Sequence, residues 1–395
     1  MRYFVKVFLV VIFNIFLFAL PSHAEKVTFV KEYTYQASEL DSKASCRTIS
    51  LEMVKRLLLE ELGTYLISET EVKDFKLTKE QIKTYSAGIV GAEIMEDKWD
   101  GKTYWLKAKV SADPKEVAKS LKKIKDDQFK AKELEETRKK AEELTKEVER
   151  LNKELAKANK KQPNKKIQQE YKAAMQGLTA IEWFNKGYET GIADRHEEAQ
   201  GAFTKAIELK PDYANAYYNR GVAHAMLGNY QQAIKDYNNV IEFKPDDAEA
   251  YYNRGLVYAN LGNYQQAISD YNKALELEPD HADAYNNRGN AYKQLGNYQQ
   301  AISDYNKALE LKPAYTAAYY NRGNAYNRLG NYQQAIKDYN KALELKPDHA
   351  DAYNNRGNAY YRFGNYQQAI KDWQIAAKLG NKNAQDMLIK LGMQW

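Results

Sequence analysis

A repeat of 34 residues constrains the fold of this chain more than any other feature of its sequence. Glycine recurs once per repeat at Gly228, Gly262, Gly296, Gly330 and Gly364, and proline recurs at Pro211, Pro245, Pro279, Pro313 and Pro347. A fixed period in this range is typical of a solenoid, in which each unit buries its apolar face against the next unit. The repetition therefore predicts a stack of similar units.

The unit at residues 248–281 is predicted to contain two helices. Small and aromatic residues recur at helical spacing in two segments, Tyr251, Gly255 and Tyr258 in the first and Ala267, Tyr271 and Ala274 in the second. This spacing places them on one face of each helix. Gly262 then suits a left-handed C-cap for the first helix, and Pro279 cannot continue the second. We expect the small residues to mark the points where two helix axes cross closely.

At these positions the sequence resembles the tetratricopeptide repeat family, whose signature combines aromatic residues, Leu-Gly, Ala and Pro at fixed offsets. The resemblance covers roughly half of the chain. It implies a mostly α fold, an α-solenoid with a concave groove that binds segments of other proteins. The copies depart from the family pattern where Arg replaces the usual Leu, at Arg220, Arg254, Arg288, Arg322 and Arg356. An Arg stem can cover apolar surface while its head stays in water. We therefore expect altered packing detail and the same fold.

Six repeats are predicted over residues 180–379, with a capping helix over 380–395. The first repeat is degenerate, because Thr190 and Asp194 replace the Tyr and Gly of the pattern. The sixth has Asn381 where the others have Pro. Terminal units of a solenoid are expected to be atypical because they cap an otherwise open core.

Residues 1–24 have the pattern of a cleavable signal peptide. Basic residues precede an apolar run over residues 7–20, and small residues follow at 22–24. The run is too short to favour a membrane span, and no cysteine at the cleavage site indicates a lipid anchor. The only cysteine, Cys46, is predicted to be a buried structural thiol. The sequence therefore predicts a periplasmic or secreted bacterial protein with no membrane span after cleavage.

Residues 25–112 are predicted to form a small α+β domain that serves as an adaptor or oligomerisation module. The predicted elements are a strand over 26–35, a helix stopped by Gly63, a strand over Thr64–Ser68, a helix with a Thr78–Gln81 capping box, and a hairpin of Ile89–Trp99 with Lys102–Ser111. The dipeptide Asp100-Gly101 is a strong turn signal for that hairpin.

Residues 113–165 are predicted to form a long helical stalk that Asp113-Pro114 opens and Gln162-Pro163-Asn164 breaks. Apolar and small residues alternate by three and four along it: Leu134, Thr137, Ala141, Leu144, Val148, Leu151, Leu155 and Ala158. Such a seam favours a coiled-coil homodimer. Pairs of Glu and Lys four residues apart would equally brace a single spacer helix. Both interpretations stay open from the sequence.

Composition and motifs argue against catalysis and nucleic-acid binding. The net charge of +6 is concentrated in residues 115–172, which hold 19 Lys and Arg against 12 Asp and Glu and carry no recognition motif. Gly101-Lys102-Thr103 resembles the end of a phosphate-binding loop, but Glu96 replaces its required glycine. His281 and His349 repeat with the fold and do not converge as metal ligands. We therefore expect no enzyme activity, cofactor or metal.

The groove lined by the first helices carries the candidate binding site. Asn recurs once per repeat at Asn185, Asn219, Asn253, Asn287, Asn321 and Asn355. In tetratricopeptide proteins this position faces the concave side. An amide can donate to C=O and accept from N–H, so a ladder of Asn suits extended peptide backbones of many sequences. Part of the ladder could instead belong to the scaffold that the family shares.

Other groove positions change along the array. The apolar residues Val222, Met226 and Leu256 give way to polar or basic residues at Asn290, Lys293, Asn324, Arg328, Asn358 and Arg362. A position where some family members carry Lys to clamp a chaperone's C-terminal carboxylate holds Asn215, Glu249, Asp283 and Asp351. That specialised clamp is therefore not expected.

The sequence as a whole predicts a non-enzymatic interaction scaffold of the bacterial envelope that binds extended partner segments in the groove. An assembly factor for flagella, pili or outer-membrane complexes, anchored through residues 25–112, is the alternative.

Overall fold

A computed structural model describes residues 26–37, 41–68, 77–126, 128–158 and 165–395. The predicted signal peptide and the helix break at Gln162-Pro163-Asn164 lie outside the described residues. The chain divides into two compact units, one ending at Glu136 and the other running from Thr137 to Trp395. None of the helices described is both long enough and apolar enough to cross a membrane.

The first unit contains an antiparallel sheet in the order β1-β3-β2, formed by β1 (Val27–Gln36), β2 (Glu93–Trp99) and β3 (Thr103–Ala112). Alternate residues of β3, among them Leu106 and Val110, are buried where α1 (Lys43–Ser68) packs against the sheet. The predicted hairpin is confirmed, but its first strand begins at Glu93, since Ile89 is the last residue of the preceding helix. Asp100 Oδ1 accepts hydrogen bonds from the N–H groups of Lys102 and Thr103, and Gly101 has a φ of 92°.

The prediction that Gly63 stops the first helix and starts a strand is wrong. Helix α1 continues to Ser68, and Leu62 and Leu66 are both fully buried one turn apart. A Cβ at Gly63 would lie 3.1 Å from the Lys83 Cγ of the next helix. Gly63 thus marks a close helix crossing, and the buried leucine stripe outweighs the cost of about 1 kcal/mol of an interior glycine.

The remaining helices of this region are α2 (Lys79–Ile89), α3 (Pro114–Asp126) and α4 (Gln128–Ala158). The predicted capping box is confirmed, because Gln81 N–H donates to Thr78 Oγ1 and the N–H of Thr78 donates to Gln81 Oε1. Asp113 accepts from the N–H of Lys115 and so caps α3 at the predicted start.

The predicted stalk seam is buried within a single chain. Val148, Leu151 and Leu155 of α4 are at most 2 % exposed. A Cβ at Gly177 of the next helix would lie 2.9 Å from Leu144 Cδ1, so α4 packs on that helix at this point. A homodimer through the same face would have to displace this packing, and it stays a prediction.

The second unit continues with helices in pairs. They are α5 (Lys165–Ile192) and α6 (His196–Leu209), α7 (Ala214–Met226) and α8 (Tyr230–Phe243), α9 (Ala248–Asn260) and α10 (Tyr264–Leu277), α11 (Ala282–Gln294) and α12 (Tyr298–Leu311), α13 (Thr316–Arg328) and α14 (Tyr332–Leu345), α15 (Ala350–Phe363) and α16 (Tyr366–Lys378), and finally the single helix α17 (Lys382–Lys390). Each second helix packs on its own first helix and on the first helix of the next pair.

A glycine and an aromatic ring fix the crossing inside each pair. A Cβ at Gly289 would lie 2.7 Å from Cε1 of Tyr305, which is fully buried. Only glycine lets α11 and α12 approach this closely with the tyrosine between them. Gly296, with a φ of 79°, then terminates α11 in the left-handed conformation that the sequence predicts.

Candidate peptide-binding face

The candidate site lies on the first-helix face, which we define as the surface formed by α7, α9, α11, α13, α15 and the part of α5 from residue 180. From α5 to α13, each first helix contacts the first helix of the following pair as well as its own second helix. The face is therefore a continuous layer of side chains contributed by successive repeats, and the predicted site residues belong to it.

The repeated asparagines link neighbouring repeats across this face. Asn253, Asn287 and Asn355 donate from Nδ2 to the hydroxyl of a tyrosine 35 residues earlier, at 2.9 to 3.0 Å. Asn321 donates to Asn286 Oδ1 at 3.2 Å in the equivalent way. Asn219 instead donates to the backbone oxygen of Asn215 within its own helix. The ladder is thus partly scaffold, since at least one amide N–H of each of these residues is already bound.

The amide oxygens of the ladder keep acceptor capacity. Asn287 Oδ1 accepts from Asn286 Nδ2 at 3.2 Å, and Asn321 Oδ1 accepts from Lys293 Nζ at 3.3 Å. Since an amide oxygen has two acceptor sites, one contact leaves the other available. Asn185, Asn253 and the other ladder residues are half-buried, so they are reachable from one side. The ladder oxygens can therefore accept a hydrogen bond from an incoming N–H donor.

Three asparagines that the sequence assigns to the groove bind buried aromatic groups of the core through their side-chain oxygens. Asn290 Oδ1 accepts from the Tyr305 hydroxyl at 2.8 Å, and Asn324 Oδ1 accepts from Tyr339 at 2.7 Å. Asn358 Oδ1 accepts from the indole N–H of Trp373 at 3.1 Å. Each pair is 15 residues apart and ties a first helix to its second helix. The polar character of this position therefore follows from the needs of a buried aromatic group.

The apolar half of the face is shallow. Val222 and Leu256 are half-buried and pack against the clusters around Tyr237 and Tyr271 respectively. Met226 is 64 % exposed at the C-terminal end of α7. It is the one strongly exposed apolar residue among the predicted groove residues, so it is the apolar contact that a partner could cover most fully.

The basic residues occupy one edge of the face, in the last turns of their helices. Arg328 and Arg362 are exposed, whereas Lys293 is half-buried. Burial lowers the pKa of Lys293. Its Nζ donates to Asn290 Oδ1 at 3.4 Å and to Asn321 Oδ1 at 3.3 Å, and so spans from α11 to α13.

Acidic residues occupy the opposite edge, in the first turns of the first helices, and they have internal partners. Asp283 accepts from the Tyr315 hydroxyl at 2.5 Å, and Asp351 accepts from Asn381 Nδ2 at 2.8 Å. Ten residues of helix separate the two edges, which corresponds to about 15 Å. The later half of the face thus carries two edges of opposite charge.

A buried ion-pair network between the two helix layers is the feature that sequence reasoning missed. Arg288 Nε and Nη2 donate to the two Asp304 oxygens at 2.8 and 2.6 Å, and Nη1 donates to Asn272 Oδ1 of the preceding repeat at 2.7 Å. Its guanidinium also lies over the ring of Tyr285, at 5.3 Å. Burial opposes the charge, but the hydrogen bond and attraction to Asp304 outweigh it and raise the pKa of Arg288.

The same bidentate pair recurs in the other regular repeats as Arg220–Asp236, Arg254–Asp270, Arg322–Asp338 and Arg356–Asp372. The expectation that the Arg heads stay in water is therefore wrong, since their side chains are only 15 to 19 % exposed. The signal was present in the sequence, because Asp follows each Arg after 16 residues. In the degenerate first repeat both partners change together, to Lys186 and Ala202.

Comparison with family models decides the identity of the second unit. Models described as "Tetratricopeptide repeat" match residues 246–314, 350–383 and 304–337, and a model described as "TPR repeat" matches residues 194–228, 227–262 and 323–364. The protein belongs to the tetratricopeptide repeat family. Its repeats form a protein–protein interaction scaffold.

Comparison with solved structures returned several similar chains. A structure titled "Crystal structure of MamA protein" is 29 % identical, covers 44 % of this chain and 94 % of its own, and has a TM-score of 0.41. One titled "Crystal structure of YrrB: a TPR protein with an unusual peptide-binding site" is 26 % identical, covers 48 % of this chain and 98 % of its own, and has a TM-score of 0.43. A third, "MamA 41-end from Desulfovibrio magneticus RS-1", is 25 % identical, covers 42 % and 94 %, and has a TM-score of 0.41. The curated proteins gave no match.

In the part of the chain that the structure describes, no three His, Cys, Asp or Glu side chains are grouped to hold an ion. Cys46 is fully buried, and burial raises the pKa of its thiol to about 12. A thiol with so high a pKa is almost entirely protonated near pH 7 and is a poor nucleophile.

Proposed function

We propose that this protein is a non-enzymatic scaffold of the bacterial envelope that holds extended segments of partner proteins on its first-helix face. The observation that carries the proposal is the row of Asn oxygens, such as those of Asn287 and Asn321, which keep an acceptor site while one N–H of each amide is bound between repeats. Export rests on the signal pattern of residues 1–24.

The chemistry of the row favours an extended partner. An extended backbone presents N–H groups at regular intervals, and a row of fixed oxygens can follow them only if the segment runs along the row. Because the asparagines are held by neighbouring tyrosine hydroxyls, little side-chain entropy is lost when the partner binds. Met226 and the half-buried Val222 and Leu256 would contact apolar side chains at one end of the segment, and the basic edge would contact polar or acidic ones at the other.

A cumulative mutation tests this role. Changing Asn253, Asn287 and Asn321 together to Ala removes three acceptors, each worth about 0.5–1.5 kcal/mol. Capture of partners from an envelope extract, followed by crosslinking and mass identification, should fall by roughly one to three orders of magnitude. The fold is checked by circular dichroism.

The matched control is the double change Tyr218→Phe and Tyr252→Phe. It removes the hydroxyls that Asn253 and Asn287 bind between repeats and leaves the amide oxygens in place. We expect this control to lower stability and to retain partner capture. Equal capture by the triple Asn variant and the native protein would overturn the proposal.

The alternative role, an envelope assembly factor anchored through the N-terminal domain, has one supporting observation. The outer strands β1 and β2 each pair on one side only within the described residues, so each leaves backbone groups for an added strand. A photoreactive residue at Val30 or at Met226, both exposed, would distinguish the two roles. Partner crosslinks at position 30 alone would favour the anchor, and crosslinks at position 226 favour the first-helix face.

A further inference from the structure

Lys293 of the first-helix face is a half-buried cation that has no counter-charge of its own, whereas Arg328 and Arg362 of the same edge are exposed. Lys293 is half-buried, and within the described residues it forms no salt bridge. Its known partners are the amide oxygens of Asn290 and Asn321. An ammonium has three N–H donors, so these contacts leave one donor for a further acceptor.

Three lysines elsewhere in the repeats differ from Lys293 because each has an acidic partner. Lys273, Lys307 and Lys341 on the second helices each pair with a Glu three residues later, at 2.7 to 2.9 Å. The side chains of these three lysines are 38 to 41 % exposed, and each still has an acidic partner. Removal from water disfavours a charge unless it is paired, so a half-buried lysine without a carboxylate is incomplete in a way that the others are not.

The position of Lys293 is particular to the fourth repeat. The equivalent residues of the second, third, fifth and sixth repeats are Ala225, Ala259, Asn327 and Tyr361. Location in the last turn of α11 could by itself favour a cation through the helix dipole. However, the Nζ contacts are side-chain oxygens, one of them on α13, and not the last carbonyls of α11. The ammonium is thus held over the seam between two repeats.

The surroundings of Lys293 favour an anion. Arg328, at the same edge in the next repeat, adds a second cation, and the nearest acidic edge is about 15 Å away along the helix. Asp283 of that edge is bound to Tyr315. The face continues through three repeats before Lys293 and through another after Arg328, so a segment that follows it does not end here.

We propose that Lys293 binds the side-chain carboxylate of an internal Asp or Glu in the extended partner segment, between the fourth and fifth repeats. The position lies ten residues after Asp283, at the other end of the helix from the position that the chaperone-type clamp would use. This inference rests on the proposed function, because it names the chemistry of the segment that the face holds.

Affinity selection from a degenerate library of acetylated, amidated dodecapeptides tests the inference without a known partner. Selected peptides are sequenced by mass spectrometry for the native protein, Lys293→Gln, Lys293→Arg and the control Lys307→Gln, whose lysine lies on a second helix and pairs with Glu310. A charged hydrogen bond of this kind corresponds to roughly ten-fold or more in affinity. We expect Asp or Glu to be enriched by the native protein, by Lys293→Arg and by the control, and the enrichment to be lost in Lys293→Gln.

Several results would overturn the inference while the proposed function stands. They are selection without an acidic preference, an acidic preference that survives in Lys293→Gln, and a preference seen only in a second library with free C-terminal carboxylates. Lys293-dependent binding of a 20-nucleotide single-stranded DNA probe in place of peptides would also overturn it. If the triple Asn variant selects the same peptides as the native protein, the proposed function fails as well.

Discussion

The third and fourth repeats have the same helices and the same glycine-to-tyrosine crossing, but they handle the buried tyrosine hydroxyl in different ways. In the fourth repeat Asn290 accepts the hydrogen bond of Tyr305. In the third repeat Leu256 occupies the equivalent position, and the Tyr271 hydroxyl is buried without a partner in the described chain. A change from an apolar to a polar residue along the face can therefore reflect a hydrogen bond to a buried core residue. Only polar residues without such a bond give information about ligands.

The largest expected effect comes from the buried Arg–Asp pair, which is the same in both repeats and should therefore give the same result in each. Arg254→Leu or Arg288→Leu restores the family's usual residue but leaves Asp270 or Asp304 buried and unpaired. Each change should cost about 3–5 kcal/mol of unfolding free energy. The measurement is urea unfolding followed by circular dichroism.

The double variant Arg288→Leu with Asp304→Leu is the informative control. Replacing both partners of a buried pair by apolar residues is often close to neutral. The double variant should therefore recover most of the stability that the single change loses. If it is as unstable as the single variant, the pair with Asn272 and Tyr285 acts as a network that no apolar substitution replaces.

The close helix crossing gives the next effect. Gly255→Ala and Gly289→Ala would each place a Cβ 2.7 to 2.8 Å from the ring of Tyr271 or Tyr305. Both rings are fully buried, so relief requires the helices to separate, at a cost of about 1–3 kcal/mol. Gly201→Ala, in a helix where an added Cβ meets open space, is the matched control and should be neutral or stabilising. Destabilisation of that control would show that glycine freedom, and not the crossing, sets the effect.

Exchanging the residues that differ between the two repeats gives an effect of similar or smaller size. Asn290→Leu leaves the Tyr305 hydroxyl buried and unsatisfied, which should cost about 1–3 kcal/mol. Leu256→Asn supplies an acceptor to Tyr271 and loses apolar contacts, so the two contributions should largely offset each other. Leu256→Ala, which removes apolar surface without adding an acceptor, should be less stable than Leu256→Asn by urea unfolding. The opposite order would mean that the Tyr271 hydroxyl does not need a partner.

The sequence predicts the repeats well because each local signal is repeated. Glycines such as Gly289 and Gly296 occupy the crossing and the C-cap that their spacing predicts. The first helix of the N-terminal unit is predicted less well, since Gly63 has the local signature of a stop. The burial of Leu62 and Leu66 carries the helix past it, and the close approach of Lys83 explains why a glycine is there. A glycine alone does not distinguish a helix end from a helix crossing.

The candidate site is predicted only in part, because the direction of a polar side chain depends on its partner. Asn287 and Asn290 look alike in the sequence, but one bonds Tyr252 across the face and the other bonds Tyr305 in the core. The 16-residue offset from Arg288 to Asp304 was available in the sequence and gives the correct pairing. A fixed spacing between two polar residues that recurs in every repeat therefore identifies structural pairs. It distinguishes them from residues free to bind a ligand better than residue type does.

The smallest expected effect concerns two histidines that occupy equivalent places in the third and fifth inter-repeat loops. His281 and His349 stack on Tyr252 and Tyr320 at 4.6 and 4.8 Å between ring centroids. The hydrogen bond to Glu249 raises the pKa of His281. Burial lowers the pKa of His349. Ala317 stands where the fifth repeat would need that Glu.

The two histidines should therefore give opposite pH dependences of stability. A raised folded pKa means that the contribution of His281 is fully present below its unfolded pKa of about 6.5 and is lost as pH rises through the folded value. A lowered folded pKa means that His349 costs stability as pH falls below about 6.5, because the unfolded chain takes up the proton first. Imidazole resonances in an NMR titration report both pKa values directly.

Glu249→Gln should lower the pKa of His281, and Ala317→Glu should raise that of His349, while His196 serves as the internal control in both variants. If Ala317→Glu leaves the pKa of His349 unchanged, the difference between the loops comes from Lys346. This lysine replaces Glu278 beside the ring and opposes protonation of the imidazole. In that case Lys346→Glu should raise the pKa of His349.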